Sequence, residues 1–438
     1  MSYTVRSWGD FKNYQNTCYR NYLFAPGGLR IMGSTWSVLA PLKGLGEDVY
    51  LIGGEPHAAS MAGTLPGESR ENIIAAETAG LGFHSCSYLK LFVGEIVRDR
   101  IAITDKTIKE GYPKPDVIWT THLCSQHSKW YQEVSRRLGG IPMYATDMIG
   151  GGNAEKDPKI VNYVSDQIEE GILWLEKVTG REYSDERFIK AARNEIKSLV
   201  LWGNICALNR HAPAPLDERR LIALFPPAVV DRTTDESVRL YEGLLKEVKH
   251  MVETGQSVAP DQRYRIVYFG IAHTYGHPEM ARILRDVGAE IVASVYTFGT
   301  CGNFKGIVDG RWSWDPIDPA WVDGLDISTR RKAIVELAKI VLGWPTWQGV
   351  RSHWALETMA RAMIKEYKAD GLLLAPSRSC ETDFRNGYVG MQRIFKSEIP
   401  TIEYDSDQVD VRKMDLPGAQ RKTELFVQLM KAHKERSA

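Results

Sequence analysis

Cys86, Cys124 and Cys380 lie in the strings FHSCSY, TTHLCSQHSKWY and APSRSCETDF, each just past an apolar or strand-like run and at the threshold of a helical one. The first two are 38 residues apart and the third follows 256 residues later, so only the fold can bring them together. Thiolates are ligands for zinc and for iron–sulfur clusters. A helix N-terminus favours the thiolate by lowering the thiol pKa. Four thiolates close a structural site; three leave one metal position open for chemistry. With no C-x-x-C pair, the same spacing equally suits three inert thiols packed as small hydrophobes.

Other residues offer acid–base chemistry. His273 and His277 fall in GIAHTYGHP, and His122 and His127 flank Cys124. Histidine suits proton transfer near neutrality, although a pair in a loop is more often structural. Glu55, in LIGGEPHAA, follows a strand and two glycines, as a loop cap or a pocket carboxylate. In GGLRIMGST, Gly28 and Gly33 have the spacing of a phosphate loop, but Ser34 stands where that loop requires lysine. The string is therefore not an ATP site, and any nucleotide energy must come from another subunit. Ser34 is placed to hydrogen-bond a bound carbonyl or hydroxyl. Cys18 sits in a polar lead-in, Cys206 inside the helical string LWGNICALN, and Cys301 in a Gly-flanked loop as a reserve ligand or pocket residue.

The elements that must position these residues alternate. Leu29–Met32, Asp48–Ile52, Val117–Thr121 and Ile141–Ala145 read as buried strands, with helices around Arg70–Thr78, Tyr88–Val97 and Lys129–Leu138 between them. Asp157–Val178, Ser184–Asn209 and Thr234–Gly255 read as long helices. Alternation resumes with strands at Arg265–Ile271, Ala289–Tyr296, Gly371–Ala375 and Thr401–Tyr404. Helices follow at Pro278–Val287, Thr329–Leu342, Trp354–Tyr367, Gly387–Ser397 and Ala419–Lys434. The pattern predicts an α/β protein: a lead-in (1–28), a doubly wound parallel-sheet domain (29–155), a helical segment (156–260) and a second such domain (261–438). Ligands of such sheets bind beyond the strands' carboxyl ends, which is where Cys124 and Cys380 fall.

Lys plus Arg and Asp plus Glu are each 55, so the net charge is zero and neither nucleic acid nor a membrane surface is implied as partner. The first residues lack a signal-peptide core and no run approaches a membrane span. Six unpaired-looking cysteines suit a reducing cytoplasm.

Several strings resemble the cluster-bearing subunits of the 2-hydroxyacyl-CoA dehydratase and benzoyl-CoA reductase family. They are GSTWSVLAPLKGL at Gly33, the Cys86 segment, CSQHSKWYQEVSRRLGGIP after Cys124, SRSC ending at Cys380, and EYDSDQVDVR at Glu403. The resemblance runs from about Gly28 to the last helix. It implies two Rossmann-like domains and a [4Fe–4S] cluster between them, held by Cys86, Cys124 and Cys380 with a non-cysteine fourth position. It implies as partners a related cluster-bearing sister subunit, an ATP-hydrolysing iron–sulfur activator and reduced ferredoxin as upstream donor. Ser34 and Glu55 match pocket positions of the dehydratases. Within the family the similarity is greatest to the larger, B-type subunit of class I ATP-dependent benzoyl-CoA reductases. That branch reduces the ring of an aryl-CoA to a cyclohexadiene-carbonyl-CoA, with His273 or His277 as proton source. The alternatives are a dehydratase subunit, which expels water by a radical route, an electron relay whose partner binds substrate, and a structural zinc protein.

Overall fold

The computed structural model describes residues 3–149, 153–271, 282–380, 390–403 and 406–437. Its strands are β1 Leu29–Gly33, β2 Val49–Gly53, β3 Arg100–Ala102, β4 Ile108–Glu110, β5 Val117–Thr121, β6 Met143–Thr146, β7 Tyr264–Gly270, β8 Ala289–Ser294, β9 Phe304–Val308, β10 Arg311–Pro316, β11 Gly371–Ala375 and β12 Thr401–Glu403. Two four-stranded sheets dominate, one in the order β2-β1-β5-β6 and the other β12-β11-β7-β8. All their pairings are parallel. Every residue of β5 (VIWTT) and β11 (GLLLA) is buried, the mark of parallel strands covered on both faces.

The strand order fixes where ligands can sit. From β1 the chain moves outward to β2, then returns past β1 to form β5, so the direction reverses between β1 and β5. In the second sheet it reverses between β7 and β11. Crevices open at such reversals, beyond the carboxyl ends of the strands. Ser34 follows β1, Cys124 lies just beyond β5, Ile271 follows β7, and Cys380 lies beyond β11.

Long helices join the two sheets. The helices Pro158–Thr179, Asp185–Ala207 and Asp235–Glu253 start where side chains of Asp157, Ser184 and Thr234 accept the first free backbone N–H groups. Asp185–Ala207 packs on the third of these and on the helix Arg330–Gly343. Among the described residues no helix is long and apolar enough to cross a membrane.

Three local readings differ. The lead-in is a helix, Trp8–Phe24, whose buried face (Phe11, Gln15, Tyr19, Tyr22, Leu23) packs near β2. β8 stops at Ser294, because the Ser294 hydroxyl accepts from Tyr296 N and starts the short helix Val295–Gly299. Two antiparallel hairpins, β3–β4 and β9–β10, lie outside the predicted alternation. The second turns through Asp309 and Gly310, both with positive φ.

Candidate functional site

Cys86, Cys124 and Cys380 line a single cavity, together with Trp36, Tyr88, Trp130 and Tyr296. Each thiol is set at the end of an element. Cys86 is the N-cap of the helix Ser87–Val97. Cys124 is the N-cap of the helix Ser125–Arg137, and its sulfur accepts from His127 N at 3.3 Å. Cys380 ends the turn after β11, with its N–H on Ser377 O. Among the described residues no three His, Cys, Asp or Glu side chains are gathered closely enough to hold one metal ion; these three thiols surround a shared space instead.

The helix N-termini do not prevail over burial here. Burial pushes the Cys86 thiol well above its usual range, helped by the neighbouring Cys124 and Cys380 and opposed by local backbone N–H groups. Burial, then Cys380, pushes the Cys124 thiol up to about 12. Left alone, both are protonated at neutral pH. A cationic partner that displaces the thiol protons is what this donor set lacks, so the residues fit a metal cluster bound as thiolates.

A buried polar network forms one wall. Ser34 Oγ lies 3.2 Å from Glu55 Oε1 and 3.0 Å from His127 Nε2, and His127 Nε2 lies 2.5 Å from Glu55 Oε1. Tyr131 donates to the same carboxylate, and Thr35 N reaches it at 3.3 Å. His127 Nδ1 donates to Thr121 O at 2.8 Å, which fixes the tautomer. One proton therefore lies between Nε2 and Glu55, whichever of them owns it. Glu55 opens the helix Gly54–Thr64 right after β2 and is 6% exposed, so it is a pocket carboxylate.

A second cavity, lined by Phe225, Pro226 and Val229, shares Trp36, Glu55 and Tyr296 with the first. His273 and His277 lie outside the described residues. Cys206 and Cys301 are fully buried in the apolar core, and Cys18 borders a separate polar cleft beside Lys43 and Asp231. His122 is partly exposed, 3.8 Å from Asp147.

His127, Tyr131 and Gln408 belong to the site although the spacing of the cysteines does not single them out. The available signal was helical. Three and four residues separate Cys124, His127 and Tyr131 in turn, which puts them on one face of one helix. Gln408 carried no such signal, being 322 residues from the Cys86 it faces.

A family profile described as "2-hydroxyglutaryl-CoA dehydratase, D-component" matches residues 49–425. The alpha subunit of (R)-2-hydroxyglutaryl-CoA dehydratase from Acidaminococcus fermentans is 26% identical over 74% of this chain and 62% of its own, so the match spans less than two thirds of that relative. The B-type subunit of benzoyl-CoA reductase from Thauera aromatica is 24% identical over 87% of this chain and 84% of its own. The alpha subunit of (R)-2-hydroxyisocaproyl-CoA dehydratase from Clostridioides difficile is 23% identical over 82% and 81%. The relatives thus include both dehydratases and a reductase, all subunits of acyl-CoA enzymes. With most of its length matched by the profile, the chain belongs to the 2-hydroxyglutaryl-CoA dehydratase D-component family.

Proposed function

We propose that this chain is the cluster-bearing subunit of an enzyme that transfers single electrons to an acyl-CoA, with Cys86, Cys124 and Cys380 as three ligands of a [4Fe–4S] cluster. The observation that carries this reading is the opening of three thiols from two sheets into one apolar, aromatic-walled cavity. A cluster several ångströms across suits thiols spread around a cavity better than a single ion does. In this reading residues 29–155 and 261–438 are two Rossmann-like domains, 156–260 is the helical segment, and the cluster sits between the domains. When bound, the group supplies electrons at potentials that reach about −700 mV in such clusters.

The chain's own residues do the rest. Trp36, Tyr88, Trp130 and Tyr296 exclude water and offer ring faces to a flat acyl group. Ser34, hydrogen-bonded to Glu55 and His127, orients the thioester or hydroxyl oxygen. The proton held between Glu55 and His127 is stored at the cavity wall. His273 and His277 remain the proposed donors to a reduced ring. The favoured reaction is dearomatising reduction of benzoyl-CoA, with a sister subunit, an ATP-hydrolysing iron–sulfur activator and ferredoxin as partners in a cytoplasmic complex. Dehydration of a 2-hydroxyacyl-CoA is the second reading. Three of its supports are the relatives from Acidaminococcus fermentans, Clostridium sporogenes and Clostridioides difficile, named as dehydratase alpha subunits.

Anaerobic purification followed by iron and sulfide analysis tests the cluster; bound zinc without sulfide would end that reading. Reductant consumed per product separates the two reactions. Stoichiometric consumption marks the reductase, and catalytic consumption the dehydratase.

A further inference from the structure

The segment SDQVD, within the string EYDSDQVDVR, pins two of the cysteine turns to each other. Asp407 is at the centre. Its Oδ1 accepts from the Ser87 hydroxyl at 2.6 Å and from the N–H groups of Val409 and Asp410, and its Oδ2 accepts from Ser379 N at 3.1 Å. Ser87 follows Cys86 directly, and Ser379 precedes Cys380 directly. Their hydroxyls lie 3.0 Å apart. Gln408, 3% exposed, closes the arrangement. Its side-chain oxygen stands 3.1 Å from Ser87 Oγ, 2.9 Å from Ser379 Oγ and 3.7 Å from Cys86 Sγ.

The protons can be counted. The single hydroxyl proton of Ser87 goes to the Asp407 carboxylate, so Ser87 Oγ can only accept from its other neighbours. Ser379 supplies one of these, by donating to Ser87. The Gln408 atom facing both hydroxyls then meets two acceptors. As placed it is an oxygen, satisfied only while Cys86 keeps its thiol proton and donates it. Once that proton is displaced by iron, an amide oxygen beside a thiolate is repulsive. A half-turn of the amide puts Nε2 in the same place. One N–H then serves Ser379 Oγ and the other serves Cys86 Sγ, and every group has a partner.

We propose that Gln408 is a positioning residue that donates an N–H···S hydrogen bond to the Cys86 thiolate and so raises the reduction potential of the cluster. The inference rests on the cluster reading above. Donors to ligand sulfur stabilise the more negative, reduced state. Gln408 acts through Cys86 and touches no reacting atom.

The test uses the full-length protein, purified anaerobically with whatever subunit accompanies it. Iron and sulfide are assayed, and the midpoint potential is read by an EPR-monitored titration. Gln408→Leu should keep iron and sulfide but move the potential to a more negative value. Gln408→Glu, which cannot donate when ionised and adds a charge, should move it further the same way. An unchanged or more positive potential in Gln408→Leu at full iron content overturns the proposal. Should the Leu variant bind no iron, Gln408→Asn, which withdraws the amide by one methylene, carries the same test. Iron loss from both, at native circular dichroism, also overturns it, because Gln408 would then serve assembly alone. Wild-type protein without iron or sulfide fails the cluster reading itself, a distinct outcome.

Discussion

Replacing Arg232 by methionine should release the loop that carries Ser34 and Trp36. Arg232 and Glu195 are fully buried and paired at 2.8 Å. Arg232 Nη1 and Nη2 also donate to the carbonyls of Thr35, Ser37 and Ala228, while Glu195 accepts from the N–H groups of Leu39 and Ala40. The pair thus clamps the segment from Thr35 to Ala40 by its backbone. Methionine keeps much of the stem's volume but strands a buried carboxylate and three carbonyls. Breaking a buried pair from one side costs about 3–5 kcal/mol, much of it from the charge left behind. Unpaired carbonyls add to this, and water entering the opened loop takes some away, so about 4 kcal/mol is expected. Amide hydrogen exchange reads the effect locally. At about 1.4 kcal/mol per tenfold, the Leu39 and Ala40 amides should exchange roughly a thousandfold faster. The C-terminal helix Leu416–Ser437, remote in sequence from the clamp, should be unchanged. Acceleration below about tenfold at Leu39 and Ala40 would refute the claim that this pair holds the loop. Combining Arg232→Met with Glu195→Gln should cost less than the sum of the two changes, since the second removes the stranded charge.

Other expectations follow from single environments. Cys124→Ala should abolish bound iron and sulfide, whereas Cys206→Ala, in the apolar core of the helix Asp185–Ala207, should leave both intact; elemental analysis decides. Burial raises the Glu218 carboxyl to about 8, so the folded chain keeps a proton that the unfolded chain releases near the ordinary value of 4.5. Stability should therefore fall as pH rises from about 4.5 to about 8 and level off above, because the native state binds more protons across that window. Glu290 is raised to about 8 in the same way, so Glu218→Gln should remove only part of the slope in urea-unfolding midpoints measured across that range. Gly94→Ala should be strongly destabilising. A Cβ there would overlap the backbone carbonyl of Asn72, forcing apart the helices Pro66–Thr78 and Ser87–Val97 that set the Cys86 turn. A thermal midpoint within a degree of wild type would contradict that packing.

Much of the frame is legible because burial on both faces leaves no choice of residue. VIWTT and GLLLA are continuous apolar or β-branched runs, and the strands fall on them to the residue. The long helices declare themselves through Asp157, Ser184 and Thr234 at their caps. The helix Trp8–Phe24 hides because its buried face is built on Gln15, Tyr19 and Tyr22, residues whose polar tips disguise an apolar stripe, and no side chain caps its start. The β9–β10 hairpin was signalled by Asp309-Gly310, but its strands carry outward Lys305 and Arg311, which dilute the alternation. The site is harder still. Glu55 and His127 are 72 residues apart and meet only because β2 and β5 flank β1 in one sheet. The state of the thiols was misjudged from local sequence, since a helix N-terminus is visible there and the dry cavity that outweighs it is not.

The division of the three thiols between distant parts of the chain has a consequence for how the protein is made. Cys86 and Cys124 leave the ribosome early, but Cys380 and the Asp407 brace that ties its turn to Ser87 come 256 residues and more behind. At synthesis rates of about 5–20 residues per second, that gap lasts roughly 10–50 s. Throughout it two cysteines wait without the third wall of their cavity, open to oxidation and to stray metal ions. Loading must follow completion of the chain, so any premature stop before Cys380 yields a product that cannot be rescued by supplying the cofactor.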